Sequence, residues 1–161
     1  MADRTLTINW EDPDELAARA HGSSGLDFLR AIVAGELPPA PIQALLGFQL
    51  IEADEGRVVF RGQPGPQHYN PIGTVHGGFA ATLLDSATGA AVHSTLEQGR
   101  AYVTLEVKYN LVRPITADTG PVRAEGTVIH RGKTVATVDA TLRAEGDGAL
   151  LAHGSSTCLI R

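Results

Sequence analysis

Apolar and polar positions divide the chain into a helical first third and a strand-rich remainder around one long apolar segment. Residues 1–25 are polar and weakly patterned, with room for a short helix near Asp14–Ala20. In Leu26–Leu37, Leu26, Leu29, Ile32 and Val33 recur at helical spacing, and Pro38, Pro39 and Pro41 stop the run. A second short helix is expected over Ile42–Leu46, ending at Gly47. From Phe48 the period changes. FQLIEAD and RVVFRGQ read as two strands joined at Glu55-Gly56, a hairpin. Pro64, Gly65, Pro66, Pro71 and Gly73 then mark a loop.

Gly77–Thr95 has no proline and is apolar nearly all round. It predicts a helix of about five turns, buried on most sides. Beyond Gly99, Val103, Leu105, Val107, Tyr109 and Leu111 alternate with Thr104, Glu106, Lys108 and Asn110. Three further strand-like runs follow: PVRAEGTVIH, KTVATVDATLRA and ALLAHGSSTCLI. Turns at Gly120-Pro121, Arg131-Gly132 and Gly146-Asp147-Gly148 separate the four. Four strands in succession suggest an antiparallel meander. A helix that is apolar all round needs a sheet curved about it, so the fold class is α+β. One domain is expected over 48–161, preceded by an arm with short helices over 1–47.

Composition narrows the function. The 161 residues carry 13 Lys+Arg and 18 Asp+Glu, a net charge of -5, which argues against a nucleic-acid partner. A hydrophobic share of 43% excludes a disordered chain. Cys158 is the single cysteine, so no disulfide or zinc ribbon forms within the chain. No segment reads as a membrane span, and the acidic start lacks the basic and apolar regions of a signal peptide. A cytoplasmic protein is expected.

Asp85 is the one formal charge between Gly77 and Leu96. A carboxylate on such a helix is costly unless it is hydrogen-bonded or functional; a capping or interface Asp and a reactive acid both fit. His76-Gly77-Gly78 opens the same helix. Free N–H groups at a helix start could stabilise an oxyanion, and a tight loop-to-helix turn would look the same. Along one helix, ~1.5 Å per residue separates Gly77 from Asp85 by more than about 10 Å. If both serve one carbonyl they must come from two subunits, paired about a two-fold axis. The chain has no G-x-S-x-G elbow, Walker loop or G-x-G-x-x-G, and no histidine pair at zinc-helix spacing, so no metal is expected.

Asn70-Pro71-Ile72-Gly73-Thr74-Val75-His76-Gly77-Gly78, followed by Leu83-Leu84-Asp85, resembles the signature of hotdog-fold acyl-CoA thioesterases of the PaaI-like (phenylacetate-pathway) family. Thr104-Leu-Glu-Val-Lys-Tyr-Asn110, Arg113-Pro114, His130-Arg131-Gly132-Lys133 and Leu151-Ala152-His153-Gly154 extend the resemblance to roughly Phe48–Ile160. Leu26–Gly47 resembles an N-terminal extension of some bacterial members. The resemblance implies a long central helix wrapped by a curved antiparallel sheet of about six strands. It implies dimers joined sheet edge to sheet edge, often paired into tetramers. It also implies hydrolysis of a medium-chain or aryl-acyl-CoA to free acid and CoA. CoA enters as part of the substrate, and no separate cofactor is used.

The implied roles fall on matching residues. The Gly77 N–H polarises the carbonyl. Asn70 adds a hydrogen bond or holds the loop, and His76 orients the corner. Asp85 from the partner acts as base or nucleophile. Thr104 positions water or simply lies on the strand's polar face. Gly78 and Phe79 flank the substrate, and Leu83, Leu84, Pro71 and Ile72 are further candidates for the acyl pocket. Arg131 and Lys133, beside Gly132, are the first candidates for the CoA phosphates, ahead of Arg100 and Arg113. A non-catalytic acyl-CoA-binding or sensing protein on the same fold is the main alternative. A hydratase is weaker, because His76 precedes Asp85.

Overall fold

The computed structural model describes residues 4–161; the first three residues of the expected arm lie outside them. Three short helices come first: α1 (Pro13–His21), α2 (Gly25–Val33) and α3 (Pro41–Leu46). Asp12 and Ser24 cap α1 and α2 through side-chain oxygens that accept from Asp14 N–H and Asp27 N–H. The second helix stops at Val33, short of the expected Leu37, because the chain turns at Gly35 with φ of 75° before reaching the prolines.

β1 (Phe48–Asp54) and β2 (Arg57–Gly62) form the expected hairpin. The long helix, α4 (Gly77–His93), ends where Ser94 and Thr95 hydroxyls turn back to the Ala91 and Val92 carbonyls. β3 (Tyr102–Leu111), β4 (Val122–Arg131), β5 (Val135–Ala144) and β6 (Leu150–Ile160) complete one antiparallel sheet of order β1-β2-β4-β5-β6-β3. The fold is the hotdog, a curved sheet about a central helix. α4 touches all six strands. Gly126 lets β4 approach closely: a Cβ there would sit within 2.5 Å of the Ala87 carbonyl carbon.

Two expectations change. The four C-terminal strands are not a meander. Only β4-β5-β6 is; β3 crosses over to pair with β6 and leaves its other edge open. The alternation along β3 also breaks. A bulge at Leu105 shifts the register between Thr104 and Glu106, so Thr104 faces α4 while Leu105 is 58% exposed.

α4 is buried on most sides, as expected. Phe79, Ala80, Leu83, Leu84, Ala87, Thr88 and Ala91 pack inward, but Gly78, Ala81, Thr82, Asp85 and Ser86 form a stripe that the sheet does not cover. On the outer face of the sheet, Arg57 bridges Glu52 (2.9 Å) and Glu125 (2.6 Å), Arg61 meets Glu145 (2.8 Å), and Arg123 meets Glu52. Val59 lies on that outer face and is fully buried, its neighbours across the ladder being Glu52 and Glu125. Among the described residues no helix is long and apolar enough to cross a membrane.

Candidate active site

The corner before α4 is built by one side chain. Asn70 Oδ1 accepts from the N–H groups of Ile72 (3.0 Å) and Thr74 (3.2 Å), and its Nδ2 donates to Thr74 Oγ1 (2.9 Å). The Asn70 N–H donates to the Thr74 carbonyl at 2.8 Å. The amide oxygen is therefore committed to the loop, while Nδ2 keeps a second N–H beyond its bond to Thr74, and Asn70 also lines the cleft beside Gly77. Val75 N–H then donates to the Ile115 carbonyl (2.9 Å), which fixes the corner against the segment after β3.

His76 is the N-cap of α4. Its Nδ1 accepts from the Gly78 N–H at 2.9 Å, and its carbonyl accepts from Phe79 N–H at 3.0 Å. Gly78 N–H is thus occupied. The Gly77 N–H, at the first helical position, has no protein acceptor among the described residues. It opens on a cleft of about 260 Å³ lined by Asn70, His76, Gly77, Ala80, Leu111 and Arg113, among others.

Asp85 lies eight residues along α4, ~12 Å away at ~1.5 Å per residue. It does not line the cleft of its own chain. Its carboxylate is exposed on the open stripe of the helix, where Thr104 Oγ1 donates to Oδ1 at 3.1 Å. Tyr102 packs its phenol against Gly89, one turn further on. Burial, joined by the Cys158 and Asp85 charges, pushes that phenol well above its ordinary value. Cys158, paired with Thr104 across β3 and β6, is fully buried and its thiol is likewise pushed up by burial, so it is no nucleophile.

The sequence profile of the thioesterase superfamily matches residues 72–150, the stretch that carries the end of this corner, α4 and the three strands β3, β4 and β5, up to the start of β6. Acyl-coenzyme A thioesterase 13 of Mus musculus is 30% identical, the match covering 67% of this chain and 76% of that protein. The chain belongs to the thioesterase superfamily. By family it is a thioester hydrolase. Two solved structures share its shape as well. A conserved protein of Pseudomonas aeruginosa is 32% identical with a TM-score of 0.70, over 76% of this chain and 95% of that one. A phenylacetic acid degradation-related protein of Ralstonia eutropha is 29% identical with a TM-score of 0.72, over 81% and 98%.

Several residues expected at the site of this thioesterase-superfamily chain lie elsewhere. Phe79 is 3% exposed, stacked on His68 with ring centroids 4.7 Å apart, and belongs to the core with Leu83 and Leu84. Ile72 is 85% exposed and lines no cleft with Gly77. Arg131, Gly132 and Lys133 form the β4–β5 turn beyond the other end of α4. Arg131 is held there by Glu97 at 3.1 Å. The helix between is ~25 Å long at ~1.5 Å per residue. One protomer does not bring that turn to its own Gly77.

Sequence reasoning passed over Leu111, Val112 and Ile115, which wall the cleft. They lie at the end of β3 and just beyond it, flanking Arg113-Pro114, a signal present but not placed. A larger groove of about 730 Å³ lies between α1, α2 and β1 and contains none of these groups. Among the described residues, no cluster of His, Cys, Asp or Glu is set to hold a metal.

Proposed function

We propose that this protein hydrolyses a medium-chain or aryl-acyl-CoA thioester at a site made by two chains, with Gly77 from one and Asp85 from the other. The observation that carries the reading is that the Gly77 N–H and the Asp85 carboxylate both face outward. Each is without its counterpart in one protomer. The apolar open edge supports the pairing: Val103, Leu105, Tyr109 and Leu111 of β3 are exposed beside the open stripe of α4. An unpaired, apolar strand edge is a template for a second copy. Two such edges meeting antiparallel about a two-fold axis run the helices in opposite directions, Gly77 of one chain toward Asp85 of the other.

In this arrangement the thioester carbonyl oxygen accepts from the Gly77 N–H, with the positive end of the α4 dipole behind it. Asp85 takes a proton from water as the water oxygen attacks the carbonyl carbon, or attacks that carbon itself to form an anhydride that water then opens. Either route expels CoA thiolate, a good leaving group, and releases the free acid. No metal or organic cofactor takes part in this scheme.

A panel of acyl-CoAs with wild type and Asp85→Asn tests the reading. Turnover in the wild type and a loss of about 10²-fold or more in the variant, with substrate binding retained, is the expected result. Undiminished turnover in Asp85→Asn contradicts the assignment. Binding across the panel without turnover in the wild type favours an acyl-CoA-binding module.

A further inference from the structure

Of the thirteen Lys and Arg, the side chains of six have partners among the described residues. Arg57, Arg61, Arg123 and Arg131 sit on carboxylates, Arg30 meets Asp54, and Arg143 donates to the Gly148 carbonyl. Arg113 differs. Among the described residues its guanidinium makes no ion pair and no hydrogen bond to protein. It is the one formally charged residue lining the cleft on which the Gly77 N–H opens. On its other side is a shallow depression bordered by Asp118 and Asp147, and neither acid is within ion-pair distance.

The backbone that carries Arg113 is tightly held. Val112 N–H (2.8 Å) and Arg113 N–H (3.2 Å) both donate to the Leu151 carbonyl, and Ile115 is tied to Val75. Pro114 restricts both its own φ and the conformation of Arg113. A fixed backbone with an unspent guanidinium is preorganised for an acceptor that arrives from outside. Beside the polar Asn70, Thr74 and His76, the walls Val75, Ala80, Leu111, Val112 and Ile115 are apolar. They suit the carbon skeleton of a substrate and leave Arg113 to read its charge.

We infer that Arg113 is a substrate-binding residue that holds an anionic oxygen group of the thioester, through charge-assisted hydrogen bonds from its fork of N–H donors. This rests on the hydrolase reading above and adds a residue to the site. The anionic oxygens belong either to a CoA phosphate or to a carboxylate carried by the acyl group. The first displaces Arg131 as the principal phosphate ligand; the second makes Arg113 a selector of acyl groups.

The test compares wild type, Arg113→Gln and Arg113→Lys on three thioesters of one chain length. These are the neutral acyl group on CoA, the same group on N-acetylcysteamine, which has no phosphate, and an acyl group with a terminal carboxylate on N-acetylcysteamine. Arg113→Gln is expected to raise KM by about ten- to hundred-fold on a substrate whose anion Arg113 holds, with kcat within about two-fold. Arg113→Lys is expected to recover part of the loss. A penalty on the CoA substrate that vanishes on the neutral small thioester assigns the phosphate. A penalty confined to the carboxylated thioester assigns the acyl carboxylate. Equal KM for all three proteins on all three substrates overturns the inference while leaving the hydrolase reading in place. Should the wild type hydrolyse none of them, that reading falls, and calorimetric titration of CoA and of the carboxylated thioester decides Arg113 separately. Weaker binding to Arg113→Gln supports the inference; equal binding, or none, overturns it.

Discussion

Thr104 Oγ1 donates to Asp85 Oδ1 at 3.1 Å, tying the edge strand to the one carboxylate of the central helix. The contact exists because the bulge at Leu105 turns Thr104 toward α4, against the plain alternation of the strand. A hydroxyl at this position fixes one carboxylate oxygen and leaves the other free for water or substrate.

Replacing Thr104 by Val keeps the shape and removes the donor. The expected outcome is a fall in kcat of about tenfold, the rate equivalent of one lost charge-assisted hydrogen bond, with KM nearly unchanged and Thr104→Ser close to wild type. Steady-state kinetics on a hydrolysed acyl-CoA check this. Equal kcat in Thr104→Val and wild type would show that the hydroxyl has no part in the reaction.

Gly126 sets how closely β4 approaches α4. Gly126→Ala forces the Ala87 backbone to move, since a Cβ would overlap its carbonyl group. Overpacking of this kind costs about 1–3 kcal/mol, a fall in Tm of about 2–12 °C. Gly146→Ala, where nothing lies within 4 Å, is the control and should melt like wild type. Thermal unfolding of the two variants makes the comparison.

Much of this was legible in the sequence, and the failures have a physical pattern. The extent of α4 followed from a proline-free apolar run, and the β1–β2 hairpin from Glu55-Gly56 between alternating segments. Both are local signals. Strand order was not local: nothing within Tyr102–Leu111 announces that it pairs with β6 rather than β4. The inward turn of Thr104 depends on a single-residue bulge, which a period-two pattern hides. Phe79 sits beside the site in sequence but points into the core, because consecutive helical residues lie about 100° apart. Arg131 lies beyond the C-terminal end of α4, far from the Gly77 of its own chain, a position that sequence alone does not show.

Stability should depend on pH through the buried imidazoles. Burial pushes His93 below the ordinary histidine value, with His21 contributing, and burial does the same for His68. His93 lies between Phe28 and Tyr102, and its Nε2 has no partner. A depressed folded pKa means that the unfolded chain binds more protons just below about pH 6.5. Stability is therefore full above that value and declines as pH falls through it. The lowered Glu52 and Glu145 carboxyls add a separate loss only below their ordinary value of 4.5. Urea unfolding from pH 8 to 5 should show the decline, and His93→Phe, which keeps the ring contacts, should flatten it. An unchanged slope in that variant would remove His93 from the account.

The two-chain site is tested most directly by mixing two inactive variants. Asp85→Asn removes the acid. Gly77→Pro removes only the N–H donor, because proline is tolerated at the first helical position and His76 already has the extended backbone (ψ 137°) that a following proline requires. Gly77→Ala, which retains the N–H, controls for the added Cβ beside Leu111. Each of Asp85→Asn and Gly77→Pro alone should be inactive. Unfolded and refolded together in equal amounts, they should regain about a quarter of the wild-type rate, since half the dimers are mixed and each holds one intact site of two. No recovery from a mixture shown to contain the mixed dimer would contradict a site shared between subunits.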